Sequence, residues 1–396
     1  GSLPFELSTL TALKAINLRD NFFALEVIPS QWQSLTNLEV LNLGTNDLSG
    51  TLSTSIATLT NLRILDLSEN NRAAGGLSGI LPTVLSELTN LQTLNLAKNN
   101  FRTLTSDMSS LTNLEFLSLN FNDFRTQELP DIFTNMTNLK VVDVSDNFFT
   151  GTLPQSLLFS QTLETLIVQL NDFSSPFPSN FSLPSLSVLA MGVNFFRGTL
   201  PSALGTLTSM TNFHIFDNLI TGTLPPEFLS LPLLQGMNLR LNRLNGSLPT
   251  EISLRNLLIL DLGENNFTGT IPTQLDQLSS ISVLNFAGNS LTGPLPSALA
   301  KLTSLAYFAV TSNSLTGEIP TELGELTNII TFLGGRNRFV GEIPSEFSRM
   351  TALQNFFLDG NDGISGLFPS SLNQIPIIRR IFLNHTSING TLPVEL

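Results

Sequence analysis

The sequence predicts an α/β solenoid of about 16 repeats, with a parallel β-sheet on the concave face and 3-10, extended or short helical segments on the convex face. Two observations lead to this prediction. Apolar residues recur as LxxLxL followed by an asparagine, as in LLILDLGENNFTG, and most of these asparagines are 23 to 25 residues apart. Apolar residues also make up 41% of the chain, which is ample for a continuous core.

The short strand follows from the alternation inside LxxLxL. Leu260 and Leu262 lie on one side of an extended segment and point into the stack, whereas Asp261 points outward. Each strand is expected to pair with the same strand of the next repeat, which makes the sheet parallel.

The asparagine that follows each strand defines what we call the anchor position. We expect its side chain to be buried at the turn and to satisfy backbone groups that the curved chain would otherwise leave unpaired. Stacked repeats then form an asparagine ladder. The anchors are Asn21, Asn46, Asn70, Asn99, Asn122, Asn147, Asn171, Asn194, Asn218, Asn242, Asn265, Asn289, Asn313, Asn337 and Asn361, with Thr386 in the sixteenth place.

The return segment of each repeat carries glycine and proline, as in LTGEIPTEL at Leu315 to Leu323. The glycine suits a turn with positive φ. The proline lacks a backbone donor, which predicts an extended or tight-turn conformation on the convex side.

LTGEIPTELGELTNI, FTGTIPTQLDQL and FVGEIPSEF resemble the plant-type leucine-rich repeat, LxxLxLxxNxLxGxIPxxLxxL. This repeat type is known from extracellular receptor-kinase ectodomains and polygalacturonase-inhibiting proteins. The resemblance covers essentially the whole chain and implies a leucine-rich-repeat superhelix in an extracellular or cell-surface protein.

Residues 1–396 are expected to form one solenoid domain that is uncapped at both ends. The family's caps usually contain paired cysteines, and this sequence has none. GSLPFELSTL and NGTLPVEL are matching back halves of repeats. Either they are boundaries of a longer chain, or the Leu396 end of one chain stacks head to tail on the Gly1 end of another.

Composition and motifs argue against several functions. A net charge of −13 without a basic patch disfavours nucleic acid and anionic membrane partners, and no apolar run is long enough to span a bilayer. Catalysis has little support, since His214 and His385 are far apart and a shallow sheet does little to raise the pKa of Asp143 or Asp261. We expect no enzyme, cofactor or metal.

The outward position four residues before each anchor is polar at first and apolar in the last repeats. An exposed apolar strip usually marks a contact site. We therefore predict a protein-contact surface at Leu333, Phe357 and Phe382 of this row and at Tyr307, six residues before its anchor, unless a neighbouring segment of the native chain covers these side chains.

A polar cluster lies on three successive strands and could hold a peptide, a glycan or a cation by several hydrogen bonds. The alternative is that these side chains are simply solvated on the sheet face. One histidine with scattered carboxylates does not have the spacing of a metal site. The members of the cluster are His214, Asp217, Asn238, Arg240, Asp261 and Glu264. The longer loop Asn71 to Gly76 is either tolerated variation or a further binding segment.

Six N-glycosylation sequons are present, and some should carry sugar if the chain is secreted. They begin at Asn135, Asn180, Asn245, Asn266, Asn384 and Asn389. The leading interpretation is a non-catalytic extracellular recognition or adhesion module that binds protein, peptide or carbohydrate. The alternatives are a structural subunit of a glycosylated wall, matrix or filament, and an enzyme inhibitor of the polygalacturonase-inhibitor kind.

Overall fold

The structure is a computed structural model that describes residues 1–24, 28–71, 75–125 and 127–390. The chain divides into two compact units, Gly1–Phe196 and Arg197–Leu396, called the first and second unit below. The prediction of a single domain over 1–396 stays a prediction.

The first unit contains eight three-residue strands, which we call main strands. They pair in parallel and in chain order, and Asn42, for example, is the register partner of Asp66 in the next repeat. The strands are Ala15–Asn17, Val40–Asn42, Ile64–Asp66, Thr93–Asn95, Phe116–Ser118, Val141–Asp143, Thr165–Ile167 and Val188–Ala190.

The second unit also has eight main strands, again parallel and in chain order. Together the described residues therefore contain sixteen, the number of repeats that the sequence predicts. These strands are Asn212–His214, Gly236–Asn238, Ile259–Asp261, Val283–Asn285, Tyr307–Ala309, Thr331–Leu333, Asn355–Phe357 and Arg380–Phe382.

The core follows from the alternation in the main strands. The middle residue of nearly every strand is buried, as are Leu260 and Leu262 in their repeat. In the first unit a row of fully buried phenylalanines, two residues after successive anchors, stacks from repeat to repeat. The ring centroids are 5.4, 6.4 and 5.8 Å apart along Phe124, Phe149, Phe173 and Phe196.

The anchor asparagines form the predicted ladder. Asn242 is 8% exposed, and its Nδ2 donates to the carbonyls of Ile215, Leu239 and Arg240 at 3.0, 3.1 and 3.3 Å. Its Oδ1 accepts from the N–H of Ile220 at 3.0 Å. One side chain therefore satisfies backbone groups of two repeats, which confirms the role expected of the anchor.

A second row of short parallel strands follows the anchors, where the sequence predicts only extended chain. Most of them contain or adjoin a glycine with positive φ, such as Gly222 at 81°, where an added Cβ would lie 2.8 Å from Thr199 Cγ2. These segments are too short for an alternation of apolar and polar residues to reveal, from the sequence, that they pair between repeats. In the first unit they are Gly50–Thr51, Leu77–Ile80, Asn100–Thr103, Thr150–Gly151 and Asp172–Phe173.

In the second unit this second row forms a nine-stranded sheet. Its strands are Arg197–Thr199, Leu219–Gly222, Arg243–Ser247, Asn266–Gly269, Ser290–Gly293, Ser314–Glu318, Arg338–Gly341, Asn361–Leu367 and Thr386–Asn389.

Most of the described return segments contain a single 3-10 turn, one contains a short α-helix and a few are extended, as predicted. Pro320 precedes one of the 3-10 turns, Leu323 is buried within it, and Leu326 N–H donates back to the Leu323 carbonyl at 3.1 Å. The proline ring presets the entry and lacks the donor that the first turn would leave unpaired. The 3-10 helices are Phe5–Thr9, Ser30–Ser34, Thr54–Thr58, Thr83–Glu87, Ser106–Ser110, Ser202–Thr206, Pro226–Ser230, Thr273–Gln277, Ser297–Lys301, Thr321–Glu325, Ser345–Arg349 and Ser370–Gln374, with an α-helix at Gln155–Leu158.

Candidate ligand-binding face

The main strands present one row of outward residues four positions before the anchors, on a surface that we call the strand face. In the second unit this row places His214, Asn238 and Asp261 side by side as register partners. Arg240 is exposed two residues after Asn238. Asp217 and Glu264 are exposed directly before their anchors, both with φ near 53°. The structure thus brings the predicted polar cluster into neighbouring repeats of one unit.

Part of this polarity serves the fold. Asn238 Oδ1 accepts from the N–H of Arg240 at 3.1 Å, and Asp261 Oδ1 accepts from the N–H of Gly263 at 3.0 Å. The backbone N–H two residues on points to the strand face as the chain leaves the sheet, and the side chain caps it. Asp261 Oδ1 also accepts from Asn285 Nδ2 at 2.9 Å. Sequence patterning did not reveal this capping role.

In the first unit, Asp143 forms the same kind of cap, but its carboxylate is largely removed from water. Asp143 Oδ1 accepts from Ser145 N–H and Oγ–H at 3.0 and 2.6 Å. Burial nevertheless raises the pKa of Asp143 above 3.8, because desolvation outweighs the stabilising Ser145 bonds, so the expectation that the sheet does little to raise this pKa was wrong. Folding therefore favours the protonated form, and the resulting stabilisation is complete below the unfolded-state pKa and lost as the pH rises through the folded-state pKa.

We expect Asp143→Asn to be more stable than the parent at neutral pH and equal to it in acid below the ordinary aspartate range. Asparagine retains the acceptor for Ser145 but carries no charge to desolvate. Urea unfolding at both pH values measures this difference. Asp66→Asn is the matched control, because Asp66 makes the same two bonds to Ser68 but is also ion-paired with Arg19 at 2.9 Å. A neutral-pH gain of the same size in both variants would contradict the assignment.

His214 lies beside a notch that sequence reasoning missed. Gly236 occupies the outer position of its strand, and an added Cβ would meet Asn212 Oδ1 at 2.6 Å and His214 Cε1 at 3.4 Å. Glycine inside a strand often marks a close approach, which is the signal that could have indicated it. Burial lowers the pKa of His214, so its imidazole favours the neutral form, with one donor and one acceptor nitrogen.

Tyr307 links the polar cluster to the apolar strip. Burial raises the pKa of its phenol, the charge of Asp261 raises it further, and the charge of Arg240 lowers it. These two charged groups therefore act on the tyrosine across the strand face. Tyr307 is the register partner of Thr331. Two residues later in the same strand, Ala309 lies in the outward row and is the register partner of Leu333.

The other three members of the predicted strip form a continuous surface. Leu333, Phe357 and Phe382 are register partners on successive strands. The rings of Phe357 and Phe382 stack with centroids 4.2 Å apart, and Phe382 is 48% exposed. Because these side chains have no acceptor, they cannot cap the backbone N–H two residues later, as Asn238 does.

The remaining predicted sites are dispersed. All six sequon asparagines, Asn135, Asn180, Asn245, Asn266, Asn384 and Asn389, are exposed, and Asn245 and Asn266 are register partners. Residues 72–74 of the predicted loop lie outside the described residues, whereas Asn71 is exposed. No trio of His, Asp or Glu in the described ranges is grouped to hold a metal. Within those ranges, no helix has the length and apolar character to cross a membrane.

The family comparison agrees with this geometry. A model of the leucine-rich repeat region matches residues 5–225, which is more than half of the chain. A model of the single Leucine Rich Repeat matches residues 256–278 and 280–302 in addition.

The chain is also similar to plant receptors. Receptor-like protein 39 of Arabidopsis thaliana is 30% identical over 179 residues, which cover 45% of this chain and 17% of that protein. PEPR1, in its complex with AtPEP1, has a TM-score of 0.92 and 29% identity over 100% of this chain and 55% of its own. The Arabidopsis receptor kinase HAESA, in complex with the peptide hormone IDA and the co-receptor SERK1, has a TM-score of 0.67 and 28% identity, covering 99% of this chain and 73% of its own.

The chain spans only 17% of the curated relative and about half of the PEPR1 chain. The anchor ladder, the parallel main strands and the GxIP return segments are the physical features behind these matches. On this evidence the chain belongs to the leucine-rich repeat family.

Proposed function

We propose that the chain is an extracellular recognition module that binds an extended peptide across the strand face of its second unit. One observation carries the proposal. At Leu333, Phe357 and Phe382 the fold gives up a capping hydrogen bond, worth about 0.5–1.5 kcal/mol, for a contiguous apolar surface that is half-buried at Leu333 and Phe357 and exposed at Phe382. Stacking of Phe357 on Phe382 returns part of this loss to the solenoid, and a ligand that buries the exposed Phe382 ring would return more.

The neighbouring polar groups supply specificity. Arg240 and the carboxylates of Asp217 and Glu264 are exposed, whereas Asp261 is half-buried and partly engaged by its cap. In this cluster carboxylates outnumber the single guanidinium, and the whole chain has a net charge of −13. We therefore expect the peptide to carry at least one basic side chain beside apolar ones.

The comparisons support this proposal by analogy. HAESA is in complex with a peptide hormone and a co-receptor, and this chain shares its fold along nearly the whole length. An extracellular location would also expose the six sequons to glycosylation. Filament assembly and enzyme inhibition stay predictions of the sequence.

Selection from a displayed library of random peptides tests the proposal. We expect the selected peptides to bind the Phe357→Ala and Arg240→Ala variants at least about tenfold more weakly than the parent. Leu367→Ala is the matched control, since Leu367 is 71% exposed in the second row of strands of the same unit. Full affinity for both strand-face variants would refute the proposal.

A further inference from the structure

A separate groove lies in the first unit, at the edge where the main strands end. It has a volume of about 470 Å³ and is formed by residues around the successive anchors Asn99, Asn122, Asn147 and Asn171. Adjacent repeats lie about 4.8 Å apart, so the groove follows the direction of stacking. It is shallow and open to solvent along its length.

Exposed apolar side chains form one side of this groove. Phe121, Phe148 and Leu170 are 47%, 44% and 39% exposed. Phe121 and Leu170 occupy the position directly before an anchor, where φ is 53° and 56°. Bulky side chains rarely adopt this left-handed conformation.

The fold does not require apolar residues there. The same position has positive φ and a polar or charged residue in most of the preceding repeats, at Asp20, Thr45, Glu69 and Lys98. Positive φ at this position therefore belongs to the repeat itself, and what distinguishes these repeats is that the exposed Phe121 and Leu170 side chains contribute little core packing. The apolar edge therefore indicates a ligand.

Polar groups are fixed beside the rings. The Arg125 guanidinium lies over the Phe148 ring, 4.9 Å from its centroid, and its Nε donates to Asp123. The Asp123 side chain is 14% exposed and also lies 3.6 Å from Arg102. Carboxylate, guanidinium and ring thus hold one another in place before any ligand arrives, which reduces the entropic cost of binding.

We propose that this groove binds a neutral oligosaccharide. The C–H faces of sugar rings would pack on Phe121 and on the part of the Phe148 ring that Arg125 leaves exposed, while hydroxyls bond to Asp123, Arg125 and Asp146. Ring faces with adjacent fixed donors and acceptors match the amphipathic surface of a pyranose.

The charge balance selects against charged ligands. Arg125 is paired with Asp123, and Asp146 adds a further carboxyl to the groove. An acidic sugar chain would face these two carboxylates, and a basic peptide would have to compete with Arg125 for Asp123. A neutral chain of hydroxyls meets neither penalty.

Calorimetric titration with cellohexaose tests the inference, because its flat β-linked chain presents successive ring faces. We expect saturable binding that falls at least about tenfold in Phe148→Ala and in Phe121→Ala, and much weaker binding of hexagalacturonate. Phe195→Ala is the matched control, because Phe195 is 50% exposed and directly follows its anchor, as Phe148 does, but does not line the groove.

Each variant is first checked for an unchanged unfolding midpoint, and Arg125→Gln provides a second probe that leaves both rings in place. Absence of cellohexaose binding at millimolar concentration would overturn the proposal, as would equal binding by the Phe148 and Phe195 variants. Preference for hexagalacturonate or for a peptide at this groove would overturn it equally. Arg240→Ala should leave sugar binding intact, which separates this site from the proposed peptide site.

Discussion

Replacing Asn242 with leucine is expected to lower the free energy of unfolding by about 3–5 kcal/mol. The substitution keeps the number of side-chain heavy atoms but removes three donated bonds and one accepted bond, each with a backbone group near the core. Those groups would stay buried without partners, and an unpaired buried group costs more than a hydrogen bond typically contributes. Equilibrium urea unfolding, followed by circular dichroism, measures the change.

Asn256→Leu is the control for this prediction. Asn256 is exposed and donates one bond, to the Pro232 carbonyl at 2.8 Å, so its replacement should cost less than about 1 kcal/mol. Asn242→Thr should fall between the two, since Thr386 occupies the anchor position and makes a bond to the Leu383 carbonyl. An equal loss of unfolding free energy in Asn242→Leu and Asn256→Leu would show that the buried ladder bonds stabilise the fold no more than an exposed hydrogen bond does.

Truncating Phe149 to alanine is expected to cost about 3–5 kcal/mol in the first unit. Its ring is fully buried and stacked between Phe124 and Phe173, so the substitution opens a cavity in the middle of the aromatic row. Phe149→Leu should cost less than about 1.5 kcal/mol, because leucine is the residue at the equivalent buried positions Leu244 and Leu291. Urea unfolding of the three proteins gives the comparison.

The adjacent residue provides an internal control. Phe148 is 44% exposed, so Phe148→Ala should leave the unfolding free energy nearly unchanged while it weakens binding of the oligosaccharide. Two neighbouring phenylalanines thus separate stability from binding. Similar destabilisation by both substitutions would mean that the rings at the groove belong to the core.

Much of the fold is predictable because each repeat carries the same sequence pattern. The LxxLxL alternation predicts the main strands, and the anchor asparagine predicts the ladder that Asn242 exemplifies. The GxIP segment predicts a positive-φ glycine such as Gly222 and a short turn after Pro320. Local chemistry determines these features, since the same hydrogen bonds recur about every 24 residues.

The second row of strands was not predicted as strands. Segments such as Ser290–Gly293 are short and pair with the equivalent segments of the preceding and following repeats. Whether an extended segment finds a partner depends on how the glycine turns align neighbouring repeats, which a single repeat does not specify.

The sequence predicts which residues form the candidate site, but not which of them contact a ligand and which stabilise the fold. The polar cluster and the apolar strip were found by aligning repeats, and the structure places each set on neighbouring strands. Yet Asn238 and Asp261 cap backbone N–H groups, so part of their polarity belongs to the fold rather than to a ligand. The residue type alone does not distinguish a cap from a contact, because both use the same acceptor atoms.

By itself the sequence determined the repeat, the strand alternation, the anchor ladder and the turn chemistry, because these depend on neighbours within about one repeat. Only the tertiary structure decided which outward side chains stand free and which are engaged. Phe148 and Phe149 are identical in type and adjacent in sequence, yet one lines an open groove with Arg125 and the other is sealed in an aromatic stack. Stacking of repeats sets that difference, because exposure depends on the residues contributed by the repeats on either side.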